Sequence, residues 1–320
     1  MKRIIRFAVC AFCIALITAF ALPLTACKHE HKWSAWQRTE TEHYRTCACG
    51  EEQRGSHTDF VCDECAEFKV LAFGVTDPNG FDGAHADFAQ EANKWFPDMG
   101  KKCGFIYDTT TDYESMTDEL LSGYDLVMFL NNKPYGETAR AAFQRYMENG
   151  GAWMGFHVCA FRMTGEGQTP DWDWFHEEFL GSGDFRTNTW NPTPETLKVE
   201  TFDHPSTVNL PDTFLSAPNE WYGWTNDLRA NPDITVLLSL DPSTFPVGDR
   251  KGEQWFEGDF PVAWSNNKYK MMYINMGHNL MDYNDFAKDS LTFSSDDQNK
   301  FIIDAMFGLT TDNPYGGWEA

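Results

Sequence analysis

The chain has 320 residues, 42% of them hydrophobic and 15% aromatic, enough to bury one large domain or two smaller ones. Its 25 basic residues face 48 acidic ones, a formal net charge of -23, which excludes the basic footprint that a nucleic-acid partner needs. With 12 Trp, some aromatic surface is expected at a groove or site, because indole and phenol tips want polar partners.

Residues 1–26 read as an export signal: a basic "MKRIIRF" followed by the apolar "AVCAFCIALITAFALPL". The apolar run is short for a membrane span. "LTAC", Leu24 to Cys27, resembles the bacterial lipobox. That resemblance implies that Cys27 is lipidated and that the rest is a membrane-anchored lipoprotein outside the cytoplasm. A cleaved soluble protein or a membrane span are the alternatives.

Residues 27–67 form a small His/Cys-rich module that, after Cys27 itself, holds four of the nine Cys and almost no aliphatic residues. So short a segment needs a staple in place of a core. Cys47 and Cys49 make one pair, Cys62 and Cys65 a second, with His43 and His57 nearby. The spacing fits a structural zinc site, Cys47, Cys49, Cys62 and Cys65 binding with His43 or His57 as alternates. Two disulfides are the other reading, which an export signal allows. The segment resembles His/Cys repeats of bacterial surface proteins, H-x-W then H…C-x-x-C-G then H…C-x-x-C. Here the first pair is C-x-C, one residue short.

From Phe68 to residue 310 strands and helices alternate. "FKVLAFGV", "CGFIYD", "YDLVMFLN" and "AWMGFHV" are strands. "GAHADFAQEANKWF", "SMTDELLSG" and "GETARAAFQRYMENGG" are the helices between them, the last closed by a Gly pair. Such spacing predicts right-handed crossovers and an α/β sandwich with a mainly parallel sheet covered on both faces. "ITVLLSL", "FPVAWSN" and "KMMYINMGH" add strands, "NKFIIDAMFGL" a closing helix, and 311–320 a tail.

Ligands of open parallel sheets bind beyond the carboxyl ends of the strands. His157 ends the fourth strand there, where hydrolases of similar layout carry a nucleophile in G-x-S-x-G. In Gly155-Phe156-His157-Val158-Cys159 the nucleophile position is an imidazole, which disfavours acyl transfer, and Cys159 reads as packing. His278 ends a second strand, in "MMYINMGH". Imidazoles move protons near neutral pH and bind metals. Glu220 in "NEWYGW" is flanked by Trp221 and Tyr222, residues that stack on sugars. His204 lies in "DHP", and His85 in the first strand–helix connection. Asp173, His176 and Glu177 sit at helical spacing and read as a solvated helix face.

Taken in order, "KVLAFG", "YDLVMFLN", "AAFQRYMENGGAWMGFH", "DHP", "NEWYGW", "PVAW" and "MGH" resemble the trehalose-utilization (ThuA-like) family, over Phe68 to Leu309. The resemblance implies a flavodoxin-like three-layer sandwich of the class I glutamine amidotransferase kind without the glutaminase nucleophile. It also implies sugar metabolism, with links to trehalose and 3-keto-glycosides. It carries over His157, Glu220 and His278 as catalytic, with His204 and Trp264 as supports. The family's first-loop "GFRH" is "GFDGAH" here, so His85 transfers less directly. Three functions stand: a carbohydrate-processing enzyme using His/Glu acid–base or divalent-metal chemistry, a non-catalytic glycan-binding surface lipoprotein, or a structural protein whose N-terminal knob meets a cell-wall or protein partner.

Overall fold

Apolar runs with no polar alternation build the middle of the main sheet, because both of its faces are covered. The structure is a computed structural model describing residues 30–57, 60–77, 79, 83–164, 171–189, 192–241, 243–244, 258–280 and 290–311. The export signal, Cys27, Asp82 of the altered first loop and the tail beyond 311 lie outside the described residues. Among the described residues, no helix is long and apolar enough to cross a membrane.

The N-terminal module is a three-stranded antiparallel sheet of β1 (Gln37–Arg38), β2 (Glu42–Thr46) and β3 (Glu52–Ser56). The main domain then runs β4 (Lys69–Phe73), α1 (Ala86–Cys103), β5 (Ile106–Thr110), α2 (Asp118–Leu121), β6 (Leu126–Phe129), α3 (Glu137–Glu148) and β7 (Ala152–Phe156). After it come β8 (Phe185–Asn188), β9 (Thr196–Val199), β10 (Thr213–Leu215), β11 (Tyr222–Trp224), β12 (Ile234–Leu240), β13 (Pro261–Asn266), β14 (Lys270–Ile274) and α4 (Asp296–Thr310).

Nine of these strands form one sheet in the order β10-β9-β12-β13-β14-β7-β6-β4-β5. From β5 to β14 every neighbour is parallel; from β14 to β10 every neighbour is antiparallel. The sheet is therefore mixed around a parallel core. β8 and β11 form a separate antiparallel ribbon.

Successive residues of each core strand enter opposite layers. Val70, Ala72, Leu126, Met128, Met154, Phe156, Met272 and Ile274 join the cluster that includes α1 and α4. Leu71, Phe73, Val127, Phe129, Trp153, Met271 and Tyr273 join the cluster on the α3 side. The helices answer in kind. Phe88, Ala89, Ala92, Phe96 and Met99 make the buried stripe of α1. Full burial of such a Phe contributes roughly 1.5–3 kcal/mol. At Gly104, with φ 89°, α1 stops and its N–H bonds back to the Gly100 carbonyl at 2.7 Å.

Candidate active site

The backbone at His157 is the first unusual feature of the site. β7 leads into a 3₁₀ turn, His157–Ala160, and His157 itself has φ +44°. An L-residue other than Gly holds this left-handed conformation only where its surroundings force it. In place of a strand–elbow–helix, β7 runs into this short turn alone, with the imidazole at its first residue. Gly155 makes room below: a Cβ there would lie 2.0 Å from the Trp153 ring and 2.8 Å from Cys159 Sγ. Cys159 is buried in the α3-side core.

Three other side chains meet His157. His85 heads α1, and its ring centroid lies 5.0 Å from that of His157 and 4.8 Å from that of His278. Glu220, just before β11, places Oε2 3.6 Å from His157 Nε2 and 3.5 Å from His278 Nε2. One donor atom from each of His85, His157, Glu220 and His278 lies within 4.8 Å of the others. All four side chains are buried, at 0–7% exposure.

Asparagines hold this convergence. Asn188 Nδ2 donates to Glu220 Oε1 at 2.5 Å. Asn219 Oδ1 accepts from the Gly277 and His278 N–H groups. Asn279 donates through its backbone N–H to the Ala84 carbonyl and through Nδ2 to Gly83. Its Oδ1 accepts the Phe88 N–H in the first turn of α1. The loop leaving β14 is thereby tied to the loop before α1, which brings His85 to His278.

Hydrogen bonds also assign the ring tautomers. Asn275 Oδ1 accepts the Tyr222 N–H at 2.9 Å, which turns Nδ2 toward His157 Nδ1 at 3.2 Å. His157 Nδ1 is thus an acceptor, and in the neutral ring Nε2 carries the proton. At His278 the pattern reverses. Nδ1 lies 2.7 Å from the Asn279 carbonyl, which only accepts, so Nδ1 carries the proton and Nε2 a lone pair. Both rings are neutral near pH 7. Burial, reinforced by His85, holds His157 well below the usual histidine range. Burial and His85 push His278 down to about 3, against the opposing pull of Glu220. The site therefore sets a donor, His157 Nε2, and a base, His278 Nε2, on either side of a carboxylate. The His278 lone pair and a Glu220 oxygen 3.5 Å apart repel unless a proton or cation comes between them.

Several expected site residues are elsewhere. Trp221 is fully buried in the α1-side core and donates Nε1–H to the Thr193 carbonyl. Trp264 is likewise 0% exposed, with Nε1–H bonded to the Leu180 carbonyl. Neither offers a face to a sugar. Tyr222 is buried with its ring 4.1 Å from the His157 ring, backing the imidazole. His204 follows β9, which runs opposite to β7, so "DHP" emerges at the other sheet edge. There His204 bonds Ser206, and Pro205 packs on Gly308 of α4. A cavity of about 480 Å³ at that same edge, lined by Gly150, Gly151 and Lys270, carries none of the clustered groups.

Asp173, His176 and Glu177 lie at and in a π-helical turn, Trp174–Phe179. Asp173 and Glu177 pair with Arg162, while His176 is buried 3.7 Å from Asp171. The four cysteines of the N-terminal module do not meet in one set. His43, His57, Cys62 and Cys65 gather at one place; His31, Cys47 and Cys49 gather at another. The hairpin of β2 and β3 separates the two pairs. The asparagines escaped the sequence reading, although Asn219, Asn275 and Asn279 stand inside "NEWYGW" and "INMGHN".

Residues 69–292 match the ThuA family, described as trehalose utilisation. The chain belongs to the ThuA family. A crystal structure of a protein from Bacteroides uniformis ATCC 8492, described as ThuA-like, is 36% identical with a TM-score of 0.67, covering 78% of this chain and 96% of that one. Another from Parabacteroides merdae ATCC 43184, also described as ThuA-like, is 14% identical with a TM-score of 0.47, covering 76% and 89%. No curated protein matches this chain. Within this ThuA domain, His157 stands directly at the carboxyl end of β7.

Proposed function

We propose that this ThuA-family chain is a carbohydrate-processing enzyme acting outside the cytoplasm, on a glycoside or keto-sugar, by proton transfer. The observation that carries it is the opposed pair of tautomers, a bare His278 Nε2 and a protonated His157 Nε2 beside Glu220. His278, with the Glu220 carboxylate 3.5 Å from Nε2 to stabilise the imidazolium as it forms and offset the effect of burial, would take a proton from a sugar carbon next to a carbonyl, or from a hydroxyl. His157 Nε2–H would donate to the oxygen that gains charge, and Glu220 would hold the neighbouring hydroxyl. The class of substrate rests on the family. The location rests on the "LTAC" segment and its implied lipid anchor.

A divalent cation held by His85, Glu220 and His278 is a second reading, favoured by donor atoms within 4.8 Å of one another. Asn275 counts against His157 as a fourth ligand, because its amide N–H occupies the neighbourhood of Nδ1 and leaves the proton on Nε2. The glycan-binding alternative loses support from the burial of Trp221 and Trp264, which removes the expected stacking platform.

The test is incubation of the chain with trehalose and 3-keto-glucosides in deuterated water, with and without chelator. Turnover or solvent-deuterium exchange beside the carbonyl, lost in His278→Gln, supports the proposal. Glycan binding without exchange or turnover overturns it, and activity that chelator abolishes and metal restores moves it to the second reading.

A further inference from the structure

The N-terminal module has almost nothing to fold around. Among its described residues, 30–57 and 60–67, only His43, Cys47 and Cys65 are buried. Yet its chain path is specific. β2 and β3 pair over five residues, and Cys62 to Cys65 closes a turn, with the Cys65 and Ala66 N–H groups bonded to the Cys62 carbonyl at 3.0 and 2.9 Å.

We infer that His43, His57, Cys62 and Cys65 bind one zinc ion that holds this module together and fixes it to the edge of the main domain. Five observations support it. The contacts among the candidate ligand atoms have the right size. Cys62 Sγ lies 3.6 Å from Cys65 Sγ and 3.6 Å from His43 Nδ1, and Cys65 Sγ lies 3.7 Å from His57 Nδ1. Sulfur at about 2.3 Å and nitrogen at about 2.0–2.1 Å from a tetrahedral zinc stand roughly 3.5–3.8 Å apart. The two thiols are free, and a disulfide would need sulfurs at about 2.05 Å.

The far side of each imidazole is also arranged for metal. His57 Nε2 lies 2.9 Å from the Thr39 carbonyl, so its proton sits there and Nδ1 is left bare for a ligand bond. His43 turns Nε2 toward the Glu64 carboxylate, 3.5 Å away, and Nδ1 toward Cys62. The strand opposite His43 is shaped for its ring. Gly55 pairs with His43, and a Cβ at Gly55 would lie 2.5 Å from His43 Nε2. Finally, the Cys65 carbonyl accepts from the Arg38 guanidinium, which also pairs with Glu67 at 2.6 Å and packs where a Cβ of Gly104 would stand. A metal at Cys65 would thus be coupled, through Arg38, to the end of α1.

This site differs from the four-cysteine set suggested by sequence spacing and stands apart from the catalytic proposal. Its donors, two thiolates and two imidazoles, suit zinc, and binding free energy would substitute for the missing core.

The test is zinc content of the full chain after loading with zinc chloride and removal of excess, together with cobalt substitution. The expected result is at least one zinc, with one equivalent lost in Cys62→Ser/Cys65→Ser and none of that equivalent lost in Cys49→Ser. His57→Cys should retain it and His57→Leu should lose it, which separates ligation from general unfolding of the variants. Cobalt should give the intense visible bands of tetrahedral coordination and a thiolate charge-transfer band. A content unchanged by removing Cys62 and Cys65, octahedral cobalt spectra, or a Cys62–Cys65 disulfide in the zinc-loaded protein would each overturn the inference.

Discussion

Asn275 sits between two backbone-anchored partners, and through them sets what its neighbour can do. Its carbonyl is fixed by the Tyr222 N–H and its amide by the Tyr273 hydroxyl, which itself donates to the His157 carbonyl at 2.8 Å. Replacing the amide with a carboxylate, Asn275→Asp, keeps the acceptor for Tyr222 but offers His157 Nδ1 an acceptor instead of a donor. His157 should then carry its proton on Nδ1 and lose its donor at Nε2. We expect turnover to fall about 10²-fold with little change in substrate affinity, read as a kcat loss at nearly constant KM. His278→Gln should cost about 10²–10⁴-fold in kcat with thermal unfolding unchanged within a few degrees. Equal activity in either variant would remove the acid–base roles assigned here.

At the scale of elements, the segment that leaves the His157 turn is held by a buried ion cluster. Lys133 Nζ donates to the Phe161 carbonyl at 2.7 Å and faces Asp171 at 3.2 Å, while Arg140 binds the same carboxylate. Burial pulls the Lys133 ammonium below its usual range, against the attraction of Asp171. Burial alone would raise Asp171, yet His176, Lys133 and Arg140 hold it well below the carboxylate range. Asp171→Asn leaves a buried cation short of its partner and should lower unfolding free energy by about 2–3 kcal/mol in urea titration, less than a fully buried pair because Asp171 is partly exposed. Gly155→Ala should cost about 1–3 kcal/mol by overpacking against Trp153.

Much of this scale was legible beforehand. The unalternating runs in β4, β6, β7 and β14 declared a sheet covered on both sides, and the Gly pair after α3 declared its end. Strand direction beyond β14 was not legible, since "ITVLLSL" and "PVAWSN" read alike in parallel or antiparallel pairing. That reversal carried His204 to the far edge. Burial of Trp221 and Trp264 was equally hidden, because an indole satisfied by a backbone carbonyl looks in sequence like an indole at a site. His157, Glu220 and His278 were readable from strand ends and an acidic aromatic motif, whereas the asparagines that orient them carry no periodic signal.

For the whole molecule, buried neutral histidines set the response to acid. Burial pushes His176 down to about 4, with Asp171 opposing, and pushes His204 down to about 4 as well. A histidine whose pKa is lowered by folding binds its proton more readily when unfolded. Its contribution is complete above the unfolded value of about 6.5 and is lost as pH falls from there through about 4. His157 and His278 act with the same sign. Tm should therefore decline between pH 6.5 and 4, and His176→Asn/His204→Asn should flatten that decline relative to its own Tm at pH 7. A Tm independent of pH over that window would contradict these assignments.

The chemistry assigned to this molecule requires its two strand-terminal imidazoles to hold opposite tautomers. Long-range proton–nitrogen correlation spectra of the histidine rings, recorded near pH 7 and assigned with His157→Gln and His278→Gln, read this directly. The account predicts Nε2–H with a bare Nδ1 at His157 and Nδ1–H with a bare Nε2 at His278. The same tautomer at both positions, or a doubly protonated ring at either, would contradict it.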